Sequence, residues 1–174
     1  REKPGDATNH NNDHKEIIIS DDRTKDNTAG IVQSFMTPGR PITFVQNTEN
    51  MGISKNIAGA LAKTKGDFII ALGHDDMLPP HHVERMLKYF SDDSIALVHC
   101  NAMQIDSEGR ETRFSIKDVE EKIRQTKTPM KSLYANNFIQ SCGLMFRKSA
   151  FDAIGGWDES FIHGGEWDSY IRYA

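Results

Sequence analysis

The feature that most constrains the fold is a regular alternation of short apolar runs with segments of helical periodicity. Each run is rich in apolar residues and bounded by turn-forming residues, which is typical of a strand covered on both faces of a sheet. The four runs are Glu16–Ser20, Ile42–Val45, Phe68–Leu72 and Ile95–Val98. Strands that alternate with helices predict an α/β fold, with a mostly parallel sheet flanked by helices.

The segments that follow the first three runs carry apolar residues on one face, which predicts three helices packed on the sheet. The predicted inward residues are Ile31, Val32, Phe35 and Met36, then Ile57, Ala60 and Leu61, and then Val83, Met86, Leu87 and Phe90. The predicted helix starts are Asn27 or Thr28, Ser54, and Pro79 with Pro80. Pro38-Gly39 and Gly66 are the predicted ends of the first two helices.

The alternation breaks down from about residue 104. Residues 107–132 are charged and irregular, with a short helix predicted over 117–126. The remaining predicted elements are a strand over 138–146, a helix over 149–154 ended by Gly155-Gly156, and a last helix from Glu166 to Ala174. The predicted organisation is a mobile polar arm over 1–15, an α/β half over 16–103 and a second half of the same domain over 104–174. A helix that reaches the last residue favours a fragment of a longer protein.

Composition narrows the class of protein. A length of 174 residues suits one domain, and a net charge of -4 argues against a nucleic-acid-binding protein because no basic stripe is available. No apolar run approaches the roughly 20 residues of a membrane span, and no signal-peptide pattern opens the sequence, so we expect a cytoplasmic protein. Cys100 and Cys142 stand among apolar residues, which predicts buried thiols rather than a disulfide.

Two pairs of acids, Asp21-Asp22 and Asp75-Asp76, each follow a predicted strand. Ligands of parallel α/β sheets bind at the carboxyl ends of the strands. Clustered carboxylates repel each other and favour a cation such as Mg²⁺ or Mn²⁺, which keeps positions open for phosphate oxygens. The alternative interpretation is that each aspartate forms a turn or caps a helix. Two pairs at equivalent places, with Gly73 allowing close approach, favour a site for a metal and a phosphate-bearing ligand.

An ordered series of segments resembles family 2 glycosyltransferases, which have the GT-A fold. Glu16–Thr28 resembles their strand and acidic turn, Asn50–Ser54 their Asn-x-Gly turn, and Lys65–Pro80 the strand leading to their DxD metal motif. The segments that resemble the acceptor-side and ED-type motifs are Cys142–Phe151, Gly155–Glu159 and Gly165–Arg172. The resemblance covers residues 16–174 and implies that 16–103 bind the nucleotide sugar, while 104–174 form the acceptor side.

On this resemblance, the protein is an inverting glycosyltransferase that moves a sugar from a nucleotide-diphosphate donor, most often a UDP-sugar, to a hydroxyl acceptor. Asp22 would hydrogen-bond the base. Asp75 would bind the Mn²⁺ or Mg²⁺ that bridges the diphosphate, with Asp76 supporting the metal or contacting the donor. The other implied donor-side residues are Asp21, Asn50, Gly73 and His74, and His163 is a further candidate for the metal or diphosphate.

The resemblance places Glu166 at the family's catalytic aspartate, with Asp168 two residues later. The base would deprotonate the acceptor hydroxyl, which attacks the anomeric carbon opposite the leaving diphosphate and inverts it. Metal charge would offset the charge on the leaving group, and a positioned base typically adds roughly 10²–10⁴-fold. The implied acceptor is a saccharide or a lipid-linked molecule of cell-surface glycan or polysaccharide synthesis, which allows peripheral association with the inner face of the membrane.

Three positions depart from the family pattern. Gly73 replaces the first aspartate of DxD, so that a contact is lost or is supplied by His74. Glu166 is one methylene longer than aspartate. The third departure is that residues 1–15 contain no counterpart of the family's first strand. Separately, no Gln-x-x-Arg-Trp segment of the processive synthases is present, which favours single transfers.

Several other side chains could contact a ligand or have an ordinary structural position. His163 could bind the ligand or lie on an exposed loop, and His81-His82 are expected on the exposed side of a helix start. For Lys55 and Arg147 the alternatives are a diphosphate contact and a solvated surface position. Trp157 is expected in the core, and Trp167 either in the core or stacked on a sugar.

Two other functions remain open at this point. A non-catalytic sugar-nucleotide-binding module would also fit the Gly73 departure. A phosphoacceptor receiver domain also binds Mg²⁺ at an Asp pair, but it requires a lysine after its last strand. Here the fourth strand leads to His99-Cys100-Asn101.

Overall fold

The computed structural model describes residues 15–112 and 129–174. Nearly all of the arm predicted over 1–15, and the whole helix predicted over 117–126, lie outside these residues. The chain divides into two compact units. Unit one contains the described residues up to Asp67 together with Trp157–Gly165, and unit two contains Phe68–Gly156 and Glu166–Ala174.

Unit one is built on two parallel strands, β1 (Ile17–Asp21) and β2 (Ile42–Gln46). The register pairs Ile17 with Ile42 and Asp21 with Gln46, so both carboxyl ends reach the same edge. The helices of this unit are α1 (Thr28–Phe35) and α2 (Ile53–Leu61). The parallel pairing brings the residues that follow each strand, including Asp22, to one place.

The helices of unit one differ from the prediction in detail. In α1 only Val32 is buried, whereas Ile31, Phe35 and Met36 are exposed, so the predicted inward stripe was too wide. α2 begins at Ile53 after Gly52, so Ser54 is not its cap but a buried residue of its first turn.

The end of α2 was also predicted wrongly. The helix ends at Leu61, with Ala62 as its C-cap, before Gly66 is reached. The backbone N–H groups of Lys65 and Gly66 instead donate to Glu16 Oε1, at 2.5 and 3.0 Å. This hydrogen bonding ties the chain after α2 to the start of β1.

Unit two contains β3 (Phe68–Ile70), β4 (Leu97–Val98) and β5 (Met145–Arg147). β5 lies between the other two and is antiparallel to both, with Met145 opposite Ile70 and Val98. The α/β class is as predicted, but these antiparallel pairings were not. Of the strand expected over 138–146, only Met145 and Phe146 are extended in the sheet, and β5 continues one residue further to Arg147.

In the described part of unit two, the helices that cover or follow these strands are α3 (His82–Leu87), α4 (Pro129–Ala135), α5 (Lys148–Ala153) and α6 (Gly165–Tyr173), the last beginning in unit one. α4 falls in a region expected to be irregular. Met86, Phe90 and Met145 form a buried cluster, whereas Leu87 is exposed, contrary to the predicted stripe. The burial of this cluster supplies the hydrophobic stabilisation that holds α3 on the sheet.

Candidate functional site

The acidic turn after β1 holds Asp22 through contacts with the loop after β2. The Asp22 carboxylate accepts backbone N–H groups from Met51 and Gly52, both at 2.8 Å, and Asn47 Nδ2 at 2.9 Å. The N–H of Met51 and then the Asn47 amide lower the pKa of Asp22. Gly52 has a φ of 85°, which a residue with a β-carbon rarely adopts. Asp22 is therefore an ionised and rigidly held hydrogen-bond acceptor.

Asp21 and Asn50 stabilise this turn through further hydrogen bonds. Asp21 is buried and accepts Gln46 Nε2 at 2.6 Å and the Thr24 N–H at 3.0 Å. Burial raises its pKa, but these hydrogen bonds outweigh burial and lower it overall. Asn50 donates to the Asp22 carbonyl at 3.4 Å and accepts the Gly52 N–H at 3.2 Å. Of the first acid pair, Asp22 is the more exposed member.

Arg23 was not singled out from the sequence. It adopts a left-handed φ of 63°, and its guanidinium donates to the Thr48 carbonyl. This contact joins the turn after β1 to the loop after β2 a second time. An arginine directly after an acid pair was the only sequence signal, and it does not by itself indicate a left-handed backbone.

The second acid pair converges over Gly73. A β-carbon built on Gly73 would lie 2.9 Å from Asp75 Oδ1 and 3.0 Å from Asp76 Oδ2. Both carboxylates therefore occupy the space that a side chain at position 73 would need, and an aspartate there would have to displace them. His74, the other candidate, is 98% exposed in its side chain, with Nδ1 4.0 Å from Asp75 Oδ1.

The two converging carboxylates fit a divalent metal as part of its ligand set. Mg²⁺ is commonly held by one or two carboxylates while waters and substrate phosphates complete its octahedron. Within residues 15–112 and 129–174, no group of three or more His, Cys, Asp or Glu side chains is arranged to hold a metal ion. Asp75 and Asp76 would therefore need oxygen ligands from a bound diphosphate or from water.

Cys142 adjoins this pair, although the sequence predicted apolar surroundings. Its thiol lies close enough to the Asp76 carboxylate for the negative charge of Asp76 to raise the thiol pKa. Burial, together with the charge of Asp76, raises the pKa of Cys142 to about 11, and burial also raises the pKa of Cys100. Both cysteines are free thiols, as predicted, but they are half-buried rather than buried.

The thiol contact makes a testable prediction. At pH 8 and with a chelator present, a thiol with a pKa of about 11 is ionised in roughly one molecule in a thousand, so Cys142 should react slowly with iodoacetamide. Asp76→Asn removes a neighbouring negative charge, lowers the thiol pKa and should speed alkylation several-fold. Peptide mapping by mass spectrometry measures the rate. The exposed Asp67→Asn control should leave it unchanged, and equal rates in both variants would contradict the contact.

His82 corrects the expectation that both histidines at the start of α3 are exposed. His81 is exposed, but His82 is 7% exposed, and its Nε2 lies 2.7 Å from the Gly143 carbonyl oxygen. Gly143 has a φ of 73° and lies against the imidazole ring. His82 therefore anchors the turn that contains Cys142 rather than offering a metal ligand on the surface.

The two candidate catalytic acids of α6 differ in their partners. Asp168 Oδ2 accepts Arg172 Nε and Nη2 at 2.8 and 2.7 Å, and Arg172 also donates to the Ile154 carbonyl at 2.6 Å. Glu166 is half-buried in the first turn, and its carboxylate makes no hydrogen bond or ion pair with another described residue. Its charge and burial of the phenol raise the pKa of Tyr170, burial being the larger cause. Of the two acids, Glu166 is thus the one whose carboxylate is not held by another residue in the described part of the chain.

Arg147 has a structural position. Its guanidinium lies over the rings of Phe68 and Phe90, at 5.2 and 5.5 Å from their centroids, and donates to the Phe90 carbonyl at 3.2 Å. It also pairs with Asp93 at 3.6 Å. Neither of its predicted alternatives, a diphosphate contact or a solvated surface, describes this half-buried stacking.

The remaining candidates take ordinary positions. Lys55 and His163 are exposed. Trp167 is half-buried and donates its indole N–H to the Leu133 carbonyl at 2.8 Å, which favours packing over sugar stacking. Trp157 is half-buried in unit one and donates to Ser54.

The fold and its acidic strand ends define an α/β protein with candidate ligand groups at the carboxyl ends of strands. The sequence model of Glycosyl transferase family 2 matches residues 6–155, and the chain belongs to this family. It is 26% identical over 163 residues to an uncharacterized glycosyltransferase of Rickettsia typhi, covering 91% of this chain and 49% of that protein. It is 26% identical over 160 residues to chondroitin synthase of Escherichia coli, covering 91% of this chain and 22% of that protein.

Solved structures show the same fold at low sequence identity. The mannosyltransferase PcManGT from Pyrobaculum calidifontis, in complex with GDP-Man and Mn²⁺, aligns with a TM-score of 0.69 and 17% identity over 95% of this chain and 45% of that chain. TarS of S. aureus in complex with UDP-GlcNAc aligns with a TM-score of 0.62 and 15% identity over 87% of this chain and 42% of that chain. The predicted GT-A fold is thereby confirmed.

Membership of this family decides against the receiver-domain alternative. A receiver domain is excluded, because the family model covers most of the chain. The chain spans about half the length of the first curated relatives that it matches. None of the helices in the described part of the chain has the length and apolarity needed to cross a membrane.

Proposed function

We propose that the chain is the donor-binding and catalytic region of an inverting, metal-dependent glycosyltransferase. The observation that carries the proposal is the convergence of Asp75 and Asp76 over Gly73, in the loop that follows β3. Two neighbouring carboxylates repel each other, and a cation that binds both them and a diphosphate relieves this repulsion. The Mn²⁺ in the PcManGT structure supports this assignment.

The donor is a nucleotide-diphosphate sugar whose base hydrogen-bonds Asp22. Asp22 is ionised and held by two backbone N–H groups, so it does not have to reorganise before accepting an N–H group of a base. The imide N–H of uracil suits such an acceptor, and a UDP-sugar is our preferred donor. UDP-GlcNAc in TarS supports this preference, while GDP-Man in PcManGT makes a guanine base the alternative.

Glu166 is the proposed general base. Its carboxylate is not engaged by another described residue, so it can accept the proton of an acceptor hydroxyl as that oxygen attacks the anomeric carbon. Asp168, held by Arg172, would stabilise the helix rather than take the proton. A bound Mn²⁺ or Mg²⁺ would offset the negative charge that builds on the leaving diphosphate.

The proposed product is a hexosyl or hexosaminyl linkage on a saccharide or lipid-linked acceptor, formed at the cytoplasmic face of the membrane. Membership of the family and the chondroitin synthase similarity support a role in glycan synthesis.

The decisive experiment is calorimetric titration of the chain with UDP, GDP and dTDP, each with and without Mn²⁺. We expect one nucleotide, UDP first, to bind at least tenfold more tightly with Mn²⁺. Asp75→Asn should remove that metal-dependent gain, because it removes one of two converging carboxylates.

The matched control is Asp67→Asn, which removes the same charge from an exposed aspartate before the other end of β3. This control should bind like the parent chain. The proposal would be contradicted if the nucleotide affinity did not depend on Mn²⁺, or if Asp75→Asn left the effect of Mn²⁺ on affinity unchanged. Metal-dependent binding without any donor turnover in a screen of saccharide and lipid-linked acceptors would favour a non-catalytic module.

A further inference from the structure

Trp157 connects two distant segments of unit one. Its indole Nε1–H donates to Ser54 Oγ at 2.8 Å, across 103 positions of sequence. Ser54 is 8% exposed and lies in the first turn of α2. A buried hydroxyl that accepts an indole N–H is a specific contact, since losing either partner would leave a polar group unsatisfied.

The benzene-ring atoms of the indole that adjoin Nε1 lie against Gly165, the first residue of α6. A β-carbon on Gly165 would meet Trp157 Cζ2 at 2.7 Å and Cε2 at 3.1 Å. Only glycine fits against the ring in this position. The next residue in the chain is Glu166, the proposed base, and the boundary between the two units falls between Gly165 and Glu166.

Ser54 also stands close to the turn that holds Asp22. Gly52, two residues earlier, is the N-cap of α2, and its N–H donates to Asp22 Oδ2 at 2.8 Å. Contacts within unit one therefore run from the Asp22 carboxylate through the start of α2 and the Trp157 indole to Gly165. We call these residues the Trp157 contact chain.

We infer that Trp157 is a positioning residue, which fixes the start of α6 to the turn that binds the nucleotide base. This inference rests on the proposed function. A base that hydrogen-bonds Asp22 restrains Met51 and Gly52, and with them the first turn of α2. The Ser54 hydroxyl then holds the indole, and the indole fixes Gly165. Small displacements of catalytic groups are costly, since misplacement by about 1 Å can cost roughly 10²-fold in rate.

The test uses the emission of Trp157 as a direct readout. The chain has two tryptophans, so Trp167→Phe leaves Trp157 as the only indole. In this variant, UDP with Mn²⁺ should shift the emission and reduce quenching by acrylamide. Adding Ser54→Ala should abolish the shift while the calorimetric affinity for UDP stays within about twofold. The reciprocal variant Trp157→Phe, in which Trp167 remains, should show no comparable shift.

A second readout separates positioning from simple stability. Trp157→Phe and Gly165→Ala should each lower turnover of a UDP-GlcNAc or GDP-mannose donor roughly 10- to 100-fold with KM nearly unchanged. Gly165→Ala keeps the indole N–H. It should lower turnover because the new β-carbon displaces the ring of Trp157. If UDP binds and the Trp157 emission does not respond, the inference is wrong. If no nucleotide binds at all, the proposed function itself fails.

Discussion

Replacing Glu166 with glutamine should lower turnover of the nucleotide-sugar donor by roughly 10²–10⁴-fold, the usual contribution of a positioned general base. Glutamine keeps the size of the side chain and removes its ability to take a proton. Because Glu166 has no partner among the described residues, the stability of the chain should change little. Donor turnover is followed by release of the nucleotide diphosphate, and donor affinity by calorimetry should stay within about twofold.

Asp168→Asn is the matched comparison, since it makes the same change two residues further along α6. Asp168 is paired with Arg172 at 2.7 Å, so we expect this variant to lose stability rather than chemistry. A partly exposed i,i+4 ion pair contributes about 0.3–0.5 kcal/mol, and this sets the expected size of the change. The assignment would be reversed if Asp168→Asn abolished turnover and Glu166→Gln did not.

Gly143→Ala should be the most destabilising single substitution considered. A left-handed backbone costs a residue with a β-carbon about 1–2 kcal/mol, and overpacking of a buried site adds about 1–3 kcal/mol. At Gly143, φ is 73° and the new β-carbon would meet His82 Cε1 and Nε2 at 2.9 Å. The substitution therefore strains the backbone and disturbs the hydrogen bond from His82. Urea unfolding, with an unchanged m-value, measures the loss.

Gly109→Ala provides the control for backbone strain alone. Its φ of 74° matches that of Gly143, but no atom outside its chain neighbours lies within 4 Å of the new β-carbon. We expect this variant to lose only the about 1–2 kcal/mol of a left-handed conformation. Equal losses in the two variants would mean that the His82 contact contributes nothing. The difference between them is the cost of separating the Cys142–Gly143 turn from α3.

Much of the order of elements was predictable because periodicity and turn residues act locally. β1 and β2 lie within one residue of their predicted bounds, and α6 begins one residue before its predicted start. The paired glycines that end α5 have φ values of 87° and 75°, the left-handed conformation that glycine adopts most readily. Each of these features is determined by neighbours in the sequence.

β5 shows where local signals fail. Its position between β3 and β4 depends on pairing Met145 with Ile70 and Val98, which are far away in the sequence. The apolar pattern of a strand does not specify whether it runs parallel or antiparallel to its neighbours, so the direction of β5 could not be predicted from its sequence. The same limit applies to the inward stripe of α1, where Ile31 and Phe35 are apolar yet exposed.

By itself, the sequence determined the α/β class, the resemblance to family 2 glycosyltransferases and the acid pairs after the first and third strands. The tertiary structure decided which of the candidate groups remain available to a ligand. Arg147 stacks on phenylalanines, Asp168 pairs with Arg172 and His82 is buried, while Asp75 and Asp76 converge over Gly73. The physical reason is that burial and hydrogen bonding depend on partners brought together from distant parts of the chain, which residue type and spacing do not specify.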